Sequence, residues 1–114
     1  MFDEKTKSEL RYYVYLLVNP ETKTPFYVGK GIGNRVFNHL KDAKDGKVGT
    51  DKLDHIQTIL KKHKSVEHVI VRHGLNEKTA FQIEASLIDT FKFICLLSVN
   101  LFSFFHFFKP PFNT

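Results

Sequence analysis

Two short runs of aromatic and β-branched residues, 13–18 and 26–29, flank the loop Asn19-Pro20-Glu21-Thr22-Lys23-Thr24-Pro25. Tyr- and Val-rich runs bounded by Asn, Pro and Gly predict two strands of a hairpin. Both prolines fall in the loop, where a missing N–H harms no ladder. Each strand carries a Tyr-Val-X unit, Tyr13-Val14-Tyr15 in the first and Tyr27-Val28-Gly29 in the second. A glycine turn, Gly29-Lys30-Gly31-Ile32-Gly33, then feeds a helix expected to open near Gly33 or Asn34, with Asn34 as its N-cap. Strand, strand, turn and helix thus gather Tyr15, Tyr27, Lys30, Arg35 and His39 within a short stretch. Arg35 and His39 are four residues apart, which puts them on one helical face beside the apolar side made by Val36, Phe37, Leu40 and Ala43.

The rest of the chain supplies further elements. Residues 1–10 are polar and read as frayed or as a linker stub from a longer protein. Residues 44–50 hold two glycines and read as a loop. Leu53, Ile56, Ile59 and Leu60 then set a helix over 51–64, closing on Lys61, Lys62, His63 and Lys64. Those terminal cations suit a helix dipole as well as a polyanion, so both readings stand. Residues 66–72 are β-branched and nearly continuous, which predicts a central strand ended by Gly74. Asn76 is a good N-cap for a third helix from Glu77 to about residue 91. The fold class that follows is α+β, a small and mainly antiparallel sheet flanked by helices.

That third helix carries an anomaly. Ala80, Phe81, Leu87, Ile88 and Phe91 form an apolar stripe, and Glu84 falls in its middle. At roughly 100° per residue, Glu84 projects within about 60° of all five. An ionised carboxylate on a core face is costly unless it is paired or binds a cation. Two readings follow, a rim carboxylate paired with a lysine and a metal ligand.

These polar positions, in this order, resemble the catalytic core of the GIY-YIG nuclease family. Tyr13-Val14-Tyr15 stands where that family has Gly-Ile-Tyr, and Tyr27-Val28-Gly29 where it has Tyr-Ile-Gly. Arg35 and His39 match its arginine and the histidine one helical turn later. Val replaces Ile twice, and Tyr13 replaces the first Gly. The run Phe26-Tyr27-Val28-Gly29-Lys30-Gly31 looks most like the branch of animal LEM-domain, ankyrin-repeat nucleases. The likeness covers residues 11 to 89 and fades beyond.

The resemblance implies a metal-dependent endonuclease that hydrolyses DNA phosphodiesters, at branched or structured DNA, with a role in DNA repair. It implies catalytic roles for Tyr15, Tyr27, Lys30, Arg35, His39 and Glu84, with Glu84 as the sole protein ligand of Mg²⁺ or Mn²⁺. Tyr15 is then the general base and Tyr27 a phosphate or water contact. The chemistry of the side chains permits this. Arg35 can fork a non-bridging oxygen and Lys30 can add a second positive charge. A tyrosine of ordinary pKa needs a neighbour to take its proton, and His39 is such an acceptor. The plainer alternative makes both tyrosines core aromatics with bonded hydroxyls. Gly29, Gly31 and Gly33 spell neither a Walker sequence nor Gly-x-Gly-x-x-Gly, so no small-molecule cofactor is expected.

Charge points to the same partner. The net charge of +5 is not spread evenly. Residues 1–29 and 65–114 each balance four basic against four acidic groups, while 30–64 holds nine against four. Lys30, Arg35, Lys61, Lys62 and Lys64 lie in that segment and are the expected nucleic-acid contacts. A solvated lysine-rich helix pair is the other explanation.

Residues 92–114 form a third zone after the stub and the 11–91 domain. Eight of the chain's twelve phenylalanines fall from Phe91 onward, and no acidic residue follows Asp89. The charge-free run 93–108 is short of the roughly 20 residues a membrane span needs, so no span is expected. The tail reads as an aberrant end that promotes self-association through exposed apolar surface. Asn100 is a candidate for the family's closing asparagine. A lone cysteine, Cys95, and no apolar leader after the charged opening suggest an intracellular protein, nuclear or cytoplasmic. Two rivals stand beside the nuclease reading: an inactive nucleic-acid-binding module, and a non-catalytic interaction domain acting through the tail.

Overall fold

The segment Tyr-Tyr-Val-Tyr-Leu-Leu-Val has no charged group, and it occupies the middle of the sheet. The computed structural model describes residues 1–47, 49–62 and 65–97. In it β1 (Tyr12–Val18) lies between β2 (Pro25–Ile32) and β3 (Glu67–Leu75), antiparallel to both. The hairpin pairs Tyr15 with Gly29 and Leu17 with Tyr27. A register irregularity at Leu17/Val18 leaves Phe26 between two pairings and lets it share a core with Tyr15.

β3 departs from expectation. The sequence placed residues 66–72 at the centre, but β3 is an edge, runs on through Gly74 to Leu75, and exposes Val69. The physical reason is its polar content. Glu67, His68, Arg72 and His73 interrupt the strand, and a strand enclosed on both sides and both faces would have to desolvate them.

Side chains of β1 alternate between two layers. Tyr13, Tyr15 and Leu17 pack with Val36, Ala43, Leu53, Ile56 and Ile59. These come from a 3-10 turn (Arg35–Phe37), α2 (Asn38–Lys44) and α3 (Asp51–Lys62). Val14 and Val28 pack on the other side with Ala80 and Ile88 of α4 (Glu77–Leu97). The α+β class is therefore as expected.

Local chemistry explains the helix starts. Thr50 Oγ1 accepts the Leu53 N–H at 3.1 Å, and Asn76 Oδ1 accepts the Thr79 N–H at 2.8 Å, each satisfying an orphan donor. α4 outruns its expected end near residue 91 because Lys, Phe, Ile, Cys and Leu all continue a helix. Phe81, at one edge of the α4 stripe, is half exposed, and Ile83 packs from the other edge instead.

Two further corrections concern the start of the chain and the glycine turn. Residues 1–10 are no frayed stub, since Glu4–Leu10 forms α1, capped by Asp3 on the Thr6 N–H at 2.7 Å. The Phe2 ring lies 6.3 Å from that of Tyr13 and 5.1 Å from that of Phe37. Asn34 precedes the 3-10 turn as expected of a cap, yet its side chain makes no cap bond. Its Oδ1 accepts the Phe2 N–H at 2.9 Å instead. Arg35 and His39 consequently sit on successive helical segments, not on one. Among the described residues no helix is long and apolar enough to cross a membrane. Lys64, Asn100 and the phenylalanine-rich tail beyond Leu97 lie outside the described residues.

Candidate active site

Tyr15 and Gly29 face each other across the hairpin, and that pairing sets up the site. A Cβ on Gly29 would lie 2.7 Å from the Tyr15 hydroxyl and 2.8 Å from Tyr27 Cε2. Only a residue without a side chain lets the two tyrosines meet there. Their ring centroids are 6.1 Å apart, and His39 on α2 closes the group at 5.9 Å from Tyr15 and 5.0 Å from Tyr27. The Tyr15 hydroxyl and His39 Nε2 are hydrogen-bonded at 2.5 Å. The Tyr27 hydroxyl also hydrogen-bonds with that of Tyr15.

Protonation states follow from burial. His39 is drawn down to about 4, first by desolvation and then by the nearby Lys52 charge. It is therefore neutral at pH 7, and in the tautomer with a bare Nε2 it accepts the Tyr15 proton. Burial pushes the Tyr15 hydroxyl far up, with Tyr27, Tyr13 and Glu84 adding to the effect. Tyr27 is pushed up to about 12 by burial and by the Glu84 charge. Neither phenol gives up a proton unaided at neutral pH.

Glu84 acts on this cluster from α4, in the opposite layer. Its carboxylate is half buried, and burial raises its pKa against the Lys30 ammonium and the Lys30 backbone N–H. The Lys30 ammonium is itself shared with Glu77, at 3.8 Å. So the rim reading of Glu84, a carboxylate neutralised by one lysine, is only partly met. Among the described residues no three His, Cys, Asp or Glu side chains converge. Glu84 is a single carboxylate donor, which suits a hard ion that keeps waters and takes phosphate oxygens.

Arg35 is exposed, beside the glycine turn, and its Cβ would lie 3.1 Å from a Cβ on Gly31. Its charge acts on both Tyr13 and His39. Tyr13 fixes this turn from below. Its hydroxyl donates to the Gly33 carbonyl at 2.7 Å and accepts the Val36 N–H at 3.1 Å.

Tyr15, Tyr27, His39, Lys30 and Glu84 are thus brought together, with Arg35 at the margin. Lys61 and Lys62 are exposed at the far end of α3, about 14 Å along the helix axis from Lys52 at its start. Sequence reasoning missed Lys52, whose Nζ lies 4.7 Å over the Tyr27 ring. The available signal was a cation in the first turn of a helix, where the dipole opposes it.

The family profile described as LEM-3-like GIY-YIG domain matches residues 12–101. An ankyrin repeat and LEM domain-containing protein 1 homolog of Caenorhabditis elegans is 28% identical over 121 aligned positions. That alignment covers 79% of this chain and 17% of the relative's length. No solved structure matches significantly.

Proposed function

Because the chain belongs to the LEM-3-like GIY-YIG domain family, a family of nucleases, we propose that it cleaves DNA phosphodiesters with Tyr15 as proton acceptor and Glu84 as the metal-binding carboxylate. The observation that carries this is the Tyr15–His39 hydrogen bond within a cluster that Glu84 also reaches. A phenol with a raised pKa is a poor base alone. Coupled to a neutral imidazole it need never become a free phenolate. The attacking water passes a proton to the Tyr15 oxygen while Tyr15 passes its own to His39 Nε2. The hydroxide equivalent so formed attacks phosphorus, the far P–O bond breaks, its leaving oxygen takes a proton from solvent, and His39 returns its own proton to solvent.

Lys30 and Arg35 bind phosphate oxygens and offset the charge that builds on them. Tyr27, kept neutral, donates a hydrogen bond to a phosphate oxygen or to the water. Glu84 would hold a divalent cation, Mg²⁺ or Mn²⁺, which when bound supplies Lewis-acid stabilisation of developing negative charge. Fit rests on the donor: a half-buried oxygen ligand, electrostatically under-compensated, beside the phenols. Preference for branched or structured DNA belongs to the same proposal.

The test is incubation of the purified chain with branched and linear DNA, with Mg²⁺ or with chelator. Cleavage should need the metal. Tyr15→Phe and His39→Ala should each lower the rate at least about a hundredfold, the scale of losing a general base. Binding without cleavage by the wild-type chain would instead favour a nucleic-acid-binding module.

A further inference from the structure

Lys52 is the strongest unassigned group near the cluster. It stands in the first turn of α3, where the helix dipole disfavours a cation. It is half buried, and burial lowers its pKa. Asp42, the acid that acts on it, is ion-paired with Lys47 at 3.1 Å. Helix and solvation energies therefore both argue against a lysine here. A residue that breaks local rules without local compensation marks a functional site. What Lys52 does touch is Tyr27. Its Nζ sits 4.7 Å from the ring centroid, while His39 meets the same ring edge-on at 5.0 Å and Tyr15 lies 6.1 Å away.

We propose that Lys52 is a positioning residue for this site, clamping the Tyr27 ring from the α3 side against Tyr15 and His39. The proposal rests on the nuclease reading for its kinetic consequence, but the place of the Lys52 charge over the Tyr27 ring does not. A cation over a phenol face holds the ring at its position. A cation near an imidazole disfavours a second one. The groups acting on His39 come from every neighbouring element: Arg35 from the 3-10 turn, Asp42 from α2, Lys52 from α3 and His68 from β3, with Tyr15 and Tyr27 in contact from β1 and β2. Of the three cationic or titratable basic groups among them, Lys52 acts most strongly.

The test compares Lys52→Met and Lys52→Arg with wild type in two readouts. First, kcat and KM on DNA: Met should lower kcat about tenfold, the range of a desolvated cation–π contact, with KM and salt dependence unchanged. Arg, which also stacks on a ring face, should restore most of it. Second, imidazole NMR titration of His39 in each variant without DNA or metal: its pKa should rise in Met and return in Arg. Unchanged kcat, or a KM rise with a salt slope flattened by about one charge, would overturn the clamp and leave Lys52 idle or a phosphate contact. If wild type does not cleave, the nuclease reading fails by itself, and the His39 titration alone decides. A His39 pKa that ignores Lys52→Met then sinks the proposal. Removing a half-buried charge should leave the fold intact, which circular dichroism checks.

Discussion

At the scale of single residues, Glu84 separates function from stability. Its folded pKa is raised by burial, so the folded state binds its proton more tightly than the unfolded state does. Such a group contributes stability that is fully present below its unfolded pKa and is lost as pH rises through the folded one. At pH 7 the ionised carboxylate is a net burden on the fold. Glu84→Gln should therefore abolish metal-dependent cleavage and leave DNA binding intact. It should also raise the melting temperature slightly, on the order of a few degrees. Cleavage near the wild-type rate would remove Glu84 from the mechanism, and a lower melting temperature would show that its charge is well compensated. Gly29 makes a second case. Gly29→Ala puts a methyl 2.7 Å from the Tyr15 hydroxyl, so the tyrosines must part. We expect at least about a hundredfold loss of cleavage, the scale of a displaced general base, with both tyrosines still present.

The same residues show what the sequence could and could not reveal. Tyr15, Tyr27, Arg35, His39 and Glu84 were legible because order and period are local properties of a chain. Lys52 was not, since its partner ring lies 25 positions earlier and only the packing of α3 against the hairpin joins them. The Tyr13 hydroxyl was opaque for the same reason. Read as a departure from a glycine motif, it turns out to bind Gly33 and Val36 across the turn.

Elements were legible where pattern and capping agreed, and misjudged where tertiary context intervened. α3 began where its apolar spacing placed it, with Thr50 as a cap that spacing does not show, and α4 began after the expected cap Asn76. The β-branched run of β3 suggests a central strand, while its charges keep it at the edge. The polar content of residues 1–10 suggests a stub, yet Phe2 and Leu10 pack on the core and make the segment part of the fold. Phe2 touches Tyr13 and Phe37, and its N–H anchors Asn34 next to Arg35. Phe2→Ala should thus cost about 1–2 kcal/mol, the worth of two aromatic contacts, measured by thermal denaturation. Cleavage at a temperature where the variant stays folded should fall severalfold, because the turn carrying Arg35 is less well held. An unchanged melting temperature would return the segment to the status of a stub.

The whole molecule raises the question of where its positive charge acts. The excess lies in residues 30–64, and folding divides it. Lys30, Arg35 and Lys52 go to the site, while Lys61 and Lys62 end α3 on exposed surface. A phosphate backbone carries charge every few ångströms, so a duplex bound at the tyrosine cluster passes well beyond it. If α3 lies along that path, Lys61 and Lys62 meet phosphates remote from the cut. Replacing both with Gln should then flatten the dependence of binding on salt by just under about two units, at about 0.9 per neutralised phosphate. The rate of cleavage of bound substrate should not change, because neither ammonium is near the reacting groups. The competing account gives these lysines only a helix dipole to satisfy, and predicts the reverse pattern: an unchanged salt slope with a small loss of stability, about 0.3–1 kcal/mol per charge. Fluorescence anisotropy between about 50 and 200 mM salt, with thermal melts of the same protein, separates the two. A flattened slope with an unaltered single-turnover rate would make the end of α3 a docking surface distinct from the chemistry.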